Sequence, residues 1–500
     1  MKNLKVFLFV ITGLIFASCE DAIDITQPSE LAPADTFETV TDMQLGLNAI
    51  YSTLSGETGI SFTSVFTDEA AIGKSNGGQG KDGSMAFNLN SNSGEAASIW
   101  SSNYFAINLA TRLIEASEFV VVEAGSPEET EKKNILAQAY AVRAYSHFVL
   151  LSYFSPDLTN DSALGVIAVS VTPNITDKLP RNTNGEVFAL IDTDLAYATD
   201  NLTTTNATSV INKVFITKDF VKCLKARMAL YRGNFDLAKQ LVDELDVTYS
   251  LSTGTQAGTG AYPTMWKDSY SVGNELIFAI DRSLSGQTGN WAQVWQSANS
   301  TITGSPFFEV SRALFNKVNN ATDIRKFVIA DATSLIMGDN YDDVDYATFI
   351  DQDVLPVGKY PGNGQQLLLN DIKVFRFSEM VLIRAEYYAN AGDWTNAIAQ
   401  VNLVRAARLA TALDAAGFQS SQLAWGAIMD ERRVELSFEG HRYFDIKRIG
   451  PKAGRGIERD AQDCSFNGFC TLPATDYRFT LPIPQPELAA NPNIVQNPGY

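Results

Sequence analysis

The sequence predicts a mostly α-helical protein, a scaffold of tetratricopeptide-like helical pairs that carries a loop-rich insertion and few short strands. Three observations point there. Apolar residues recur at helical spacing through most of the chain outside residues 250–370. Two segments repeat one pattern: Leu230-Tyr-Arg-Gly233-Asn-Phe235-Asp-Leu-Ala238 aligns with Ala389-Asn-Ala-Gly392-Asp-Trp394-Thr-Asn-Ala397. In each, a Gly opens a turn, an aromatic two residues on fills a groove, and an Ala five residues on lets two helices approach. Finally, 500 residues with 45% hydrophobic and 19% charged side chains have ordinary globular composition.

The elements follow in order. Residues 1–18 read as a signal peptide, with basic Lys2 and Lys5 ahead of an apolar run from Val6 to Phe16 that is short for a bilayer span. Ala17, Ser18 and Cys19 resemble a bacterial lipobox, although Phe16 departs from the usual aliphatic residue. Cys19 is then the expected acylated residue, and several acyl chains anchor stably where one does not. Residues 19–38, with Pro28 and Pro33, form the tether. Residues 39–249 are the N-terminal helical scaffold, with helices expected at 42–54, 99–121, 128–154, 186–202 and 217–245 and with ligand-face loops at about 61–98. Arg143-Ala-Tyr-Ser-His-Phe suggests a third, degenerate repeat. Gly78-Gln-Gly80-Lys-Asp-Gly83 formally matches a dinucleotide fingerprint, but no buried strand precedes it and no apolar helix follows, so a surface loop is expected. Residues 250–370 form the loop-rich insertion, with a strand at Glu275–Ile280. Residues 371–450 hold the C-terminal repeat, and 451–500 are irregular.

The formal net charge of −19 argues against nucleic acid and polyanionic ligands, which need a basic face. Only His147 and His441 are present, so a multi-His metal site is not expected. A P-loop, a Gly-x-Ser-x-Gly elbow and a His-Glu-x-x-His helix are absent from the sequence. Cys464 and Cys470 flank a polar loop in which an exported chain permits a disulfide, and Cys223 reads as a buried thiol. No cofactor motif is found. The acidic run Asp339–Asp345, with Asp351 and Asp353, has oxygens for Ca²⁺ but lacks EF-hand spacing, and a solvated loop is expected.

Toward the C-terminus the residues become specific. Glu431-Arg-Arg-Val-Glu-Leu-Ser-Phe-Glu-Gly-His-Arg-Tyr-Phe-Asp-Ile-Lys-Arg448 resembles the signature of the SusD/RagB family. Leu481-Pro-Ile-Pro-Gln-Pro-Glu-Leu, Asn491-Pro-Asn, Gln496-Asn-Pro-Gly-Tyr500 and the helix Phe377–Glu386 are similar to that family as well. The resemblance implies a non-catalytic outer-membrane lipoprotein of the Bacteroidetes cell surface. Such a protein binds oligosaccharide nutrients as the lid of a SusC-like TonB-dependent importer; the RagB branch takes peptides instead. An anchored glycoside hydrolase is a third alternative. Within the signature, Glu431, Arg432, Arg433 and Glu435 are spaced for ion pairs along one helix, Gly440 suits its C-terminal cap, and Tyr443, Phe444 and Ile446 are expected core. Arginines beside Glu431 and Glu435 favour ionised carboxylates, the opposite of a glycosidase acid.

Sugar recognition needs aromatic faces and planar polar groups. Trp291 and Trp295 sit four residues apart among the amides of Asn290, Gln293, Gln296 and Asn299, so they share a face whether the segment is helical or extended. With Asp68, Glu69, Lys74, Asn76, Lys81 and Trp266 they form the candidate ligand site, whereas Trp100, Trp394 and Trp425 are expected scaffold. The acidity favours a neutral glycan.

Overall fold

A computed structural model describes residues 37–73, 80–282, 307–320, 322–331, 334, 354–362 and 369–500. Helix α1 (Val40–Thr53) starts on a capping box in which the Asp42 N–H donates to Thr39 Oγ1 (3.2 Å) and the Thr39 N–H donates back to Asp42 Oδ2 (2.8 Å). It buries Met43, Leu47 and Ile50. Helix α2 (Glu57–Phe66) lies partly where ligand-face loops are expected. Thr63 and Ser64 are buried there beside Phe62, Val65 and Phe66, so polar and apolar side chains share the interior and no apolar stripe shows in the sequence.

Helices α3 (Gly94–Ala116), α4 (Pro127–Phe154) and α5 (Asn184–Asn201) follow, the last two with Ser126 and Thr183 as N-caps. Two repeat pairs come later: α6 (Lys218–Tyr231) with α7 (Phe235–Asp246), and α9 (Phe377–Asn390) with α10 (Trp394–Ala407). Between them lies α8 (Arg312–Val318), and after them α11 (Ser421–Glu435) and α12 (Arg442–Ala453). Each of α4/α5, α6/α7, α9/α10 and α11/α12 packs as a pair, and α7 meets α9.

The two repeat turns are near copies. Gly233 and Gly392 take φ of +79° and +77°, where an L side chain is strained. Asn234 and Asp393 then cap the second helix of each pair, accepting from the N–H of Leu237 (3.2 Å) and Asn396 (3.1 Å). Ala238 and Ala397 are both fully buried at the helix contact. The Arg143–Phe148 segment is different: it lies inside α4, away from any turn. The long connection between α4 and α5 contains no repeat-type turn.

Strands are few and short. β2 (Leu276–Ile280) pairs antiparallel with β4 (Ile372–Arg376), which runs directly into α9. β1 (Ala70–Ile72) pairs antiparallel with β3 (Phe308–Val310), and β5 (Ile457–Glu458) with β6 (Thr471–Leu472). Among the described residues no helix is long and apolar enough to cross a membrane. Cys464 and Cys470 are joined in a disulfide, and Cys223 is a buried thiol.

Candidate functional site

The signature helix α11 and its continuation anchor a buried ionic lattice. The charged groups pair with other elements rather than along the helix as the spacing suggests. Glu431 accepts from Arg325 (2.5 Å) and Arg405 (2.8 Å). Arg432 reaches Asp445 (2.8 Å) on α12 and Glu386 (3.4 Å) on α9. Glu435 accepts from Arg408 (2.8 Å) and Arg376 (3.0 Å), and the same two arginines hold Glu275 (2.8 and 2.5 Å). Burial alone would raise the Glu435 carboxyl, but Arg408 and Arg376 hold it well below the usual range. Glu439 pairs with Arg376 (2.7 Å) and Lys359 (2.6 Å). The physical reason is the burial of α11: Glu431, Arg432, Arg433 and Glu435 are all enclosed, so each ion takes its partner from whatever packs on it. Gly440 is not the cap of α11. The helix ends at Glu435, and Gly440, at φ +84°, instead precedes α12. Tyr443, Phe444 and Ile446 are core.

Asp68 belongs to this lattice and faces away from solvent. It is fully buried and accepts from Arg442 Nε and Nη2 (2.7 and 2.8 Å), with Arg433 at 3.5 Å. Burial opposes its ionisation, yet the two guanidinium groups hold it well below the carboxylate range. Glu69 is equally buried and has only neutral donors, Ser64 Oγ (2.8 Å) and the Phe438 N–H (3.2 Å). Burial therefore pushes its carboxyl up to about 7, and Oε1 has no hydrogen-bond partner. Trp266 is 1% exposed, with Lys359 Nζ at 4.4 Å over its ring. None of these three can meet a ligand at the surface. Sequence alone makes them look available, because a Thr-Asp-Glu stretch and an aromatic beside Lys267 and Asp268 resemble loop chemistry.

One junction joins the ends of the segments that hold most of the other candidates. The Gly73 N–H donates to the Phe307 carbonyl (2.8 Å), extending the β1–β3 ladder by one bond. Gly73 immediately precedes residues 74–79, and Phe307 immediately follows 283–306. The chain thus leaves β1 toward Asn76 and reaches β3 from Trp291 and Trp295 at a single hydrogen bond. Lys74, Asn76, Asn290, Trp291, Gln293 and Trp295 lie outside the described residues, as does the acidic run 339–353. Lys81, half-buried, sits at the base of the Gly-rich loop with its Nζ 5.4 Å from the Phe466 ring. Asn467 Nδ2 donates to the Lys81 carbonyl (3.1 Å), so the disulfide-closed segment 464–470 braces this loop. Among the described residues no group of three or more His, Cys, Asp or Glu is placed to hold a metal ion.

Sequence reasoning missed Arg459. It is buried and donates to five carbonyls: Val65 (3.1 Å), Phe66 (2.9 Å), Thr67 (2.9 Å), Phe469 (2.9 Å) and Met85. Three of them close the C-terminal end of α2, where helix carbonyls have no partners of their own. Arg459 thereby fixes how the chain enters β1. No periodic pattern marks it, because its partners are backbone atoms and four of the five lie nearly 400 positions away.

Comparison with known proteins now adds to the geometry. The model of the SusD family matches residues 361–500, and that of a family described as starch-binding associating with outer membrane matches residues 20–230. The two segments do not overlap and take in β1 and the signature helix α11, whereas β3, Glu275, Arg325 and Lys359 lie between them. The chain belongs to the SusD-like family. SusD-like protein P2 of Formosa agariphila is 25% identical over 542 aligned residues, spanning the whole of both chains. A SusD superfamily protein from Bacteroides thetaiotaomicron has the same fold at a TM-score of 0.72 and 23% identity, over 92% of this chain and 100% of that one. A laminarin-binding SusD-like protein superposes at a TM-score of 0.65 with 22% identity, over 93% of this chain and 100% of that one. Helices α1–α5 and α9–α12 of this SusD-like chain lie within the matched segments.

Proposed function

We propose that this SusD-like protein is a non-catalytic, lipid-anchored binding protein of the outer cell surface that captures neutral oligosaccharides as the lid of a SusC-like TonB-dependent importer. Cys19 is the anchored residue. Trp291 and Trp295 supply apolar platforms for sugar rings, and Asn290, Gln293, Asn76 and Lys81 supply hydrogen bonds to hydroxyls. One observation carries the site: the Gly73–Phe307 hydrogen bond joins the roots of the two segments that hold these residues. Family membership and the laminarin-binding relative support the ligand class.

The test is a binding screen of residues 20–500 by affinity electrophoresis and calorimetry against neutral glycans, anionic glycans and a peptide digest. The Trp291→Ala/Trp295→Ala double variant runs beside it. A neutral-glycan interaction lost in the double variant is the expected result. Retention in the variant returns the two tryptophans to the scaffold, and binding of peptides alone overturns the glycan reading. Affinities should be micromolar to millimolar, because each stacked ring or hydrogen bond contributes only about 1 kcal/mol net.

A further inference from the structure

A cleft of about 110 Å³ opens at the other end of α2 from the β1 junction. Gly59 and Ile60 line it near the helix start, whereas β1 follows the helix end, and ten helical residues span about 15 Å. It is therefore distinct from the Gly73–Phe307 junction. Its wall is made by α4, α6, the β2–β4 ladder and the Glu439–His441 segment.

What faces this cleft is unusual for an interior. His441 is 6% exposed, Tyr153 and Tyr231 are 5% exposed, and Tyr145 is half-buried. None of these four side chains makes a hydrogen bond among the described residues. Their polar atoms are not among the fully enclosed unpaired ones, so they face the open cleft, where a ligand's hydroxyls can replace water. Charges in the same wall are already used. Arg227 is held by Glu379 (2.7 and 2.6 Å), Lys373 by Asp268, and Glu439 by Arg376 and Lys359. His441 is neutral as well, because burial and then Arg227, Arg432, Arg376 and Lys359 hold its pKa well below the usual value. Gly59 adds a steric condition. A Cβ there would stand 2.8 Å from Tyr153 Oη, so only Gly leaves that hydroxyl room at the rim. Phe148, Ile372 and Phe444 complete the wall with apolar surface.

We infer that this cleft is a second binding site, for one small neutral polyhydroxylated molecule no larger than a single sugar ring. Hydroxyls of the ligand satisfy His441 and the tyrosines, and its C–H faces lie on the apolar wall. An anion finds no free cation in this wall, and a cation finds no free carboxylate.

With two histidines in the chain, imidazole NMR of the ¹³C-histidine-labelled protein reads the site directly. His147 is the internal control, since Nδ1 lies 2.9 Å from the Arg143 carbonyl and Nε2 accepts from the Val169 N–H (3.2 Å). D-glucose, D-xylose and glycerol are titrated across the millimolar range, with acetate and sulfate as charged controls. At least one neutral probe should shift His441 saturably while His147 stays fixed. The Tyr145→Phe/Tyr153→Phe variant, which keeps both rings, should weaken that probe about tenfold. An unshifted His147 signal in that variant shows that it folds. The proposal is overturned if no neutral probe moves His441, if the double variant binds as the parent does, or if the charged controls move His441 equally. Trp291→Ala/Trp295→Ala should leave the His441 response intact, so failure at one site is distinguishable from failure at the other.

Discussion

The α3–α5 half and the α9–α12 half of this protein are both well buried, but charge is handled differently in each. In the first, Trp100 packs edge to face on Phe154 and tilted on Tyr104, and Arg143 with Asp194 forms a buried pair across α4 and α5 (2.7 Å). In the second, Arg376 touches Glu275, Glu435 and Glu439, and Arg408 shares two of these carboxylates. An isolated buried pair costs about as much desolvation as its attraction returns, so apolar groups can replace it. A shared lattice offers no such exchange, because each ion removed strands several others. Charge in the α9–α12 half thus locks elements together, whereas in the α3–α5 half packing does most of that work.

The largest expected effect comes from breaking the lattice. Arg376→Met leaves three carboxylates without their shared cation, and a loss of at least about 5 kcal/mol is expected in urea unfolding. Arg143→Met should cost about 3 kcal/mol by the same measurement, while Arg143→Met with Asp194→Leu should return close to the parent. Equal losses for the single and double variants would show that the α4–α5 pair is as indispensable as the lattice. Glu69 sharpens the comparison from within, since it adjoins Asp68 but lacks a cation. Its carboxyl is raised to about 7 from 4.5, so the folded state holds this proton more tightly than the unfolded chain. Stability therefore falls as pH rises from about 4.5 to 7 and stays reduced above that. Glu69→Gln removes the penalty: it should gain about 3 kcal/mol near pH 8 and under about 1 kcal/mol near pH 5. Asp68 has the opposite sign, and its contribution is lost only as pH drops below its unfolded value of 3.8. Smallest are the repeat turns, where Gly233→Ala and Gly392→Ala should each cost about 1 kcal/mol in thermal unfolding and match one another. A clear inequality would mean that the two turns are alike in sequence but not in load.

Much of this architecture is legible from pattern. The helices carry apolar stripes and caps such as Thr39 and Thr183, and the Gly-x-aromatic turns announce the two repeats. The strand at Leu276–Ile280 begins one residue after its expected start. What pattern does not reveal is anything decided by packing between distant elements. Helix α2 hides because Thr63 and Ser64 are buried alongside its apolar residues. The α11 charges point to partners on β4, α9 and α12 that spacing along one helix cannot name. Asp68 and Trp266 look like loop residues and prove to be interior, because burial is settled by Arg442, Arg433 and Lys359 from elsewhere in the chain. His441 reads as one position in a signature, and only the fold shows it facing an open cleft.

Arg459 has a consequence for time rather than for structure. It holds the carbonyls that end α2, and Arg442 neutralises Asp68, so both partners arrive almost 400 residues after the segment they complete. Trp100 likewise waits for Glu487 (3.2 Å), and Arg181 for Asn497 (2.9 Å). Such distant contacts carry a loop-closure cost before they return anything. The early helices are therefore expected to form while the path into β1 stays open, and to set only when the last sixty residues have joined them. An emerging chain would spend that interval with the Asp68 carboxylate still in water, which is where an uncompensated charge is cheapest to keep.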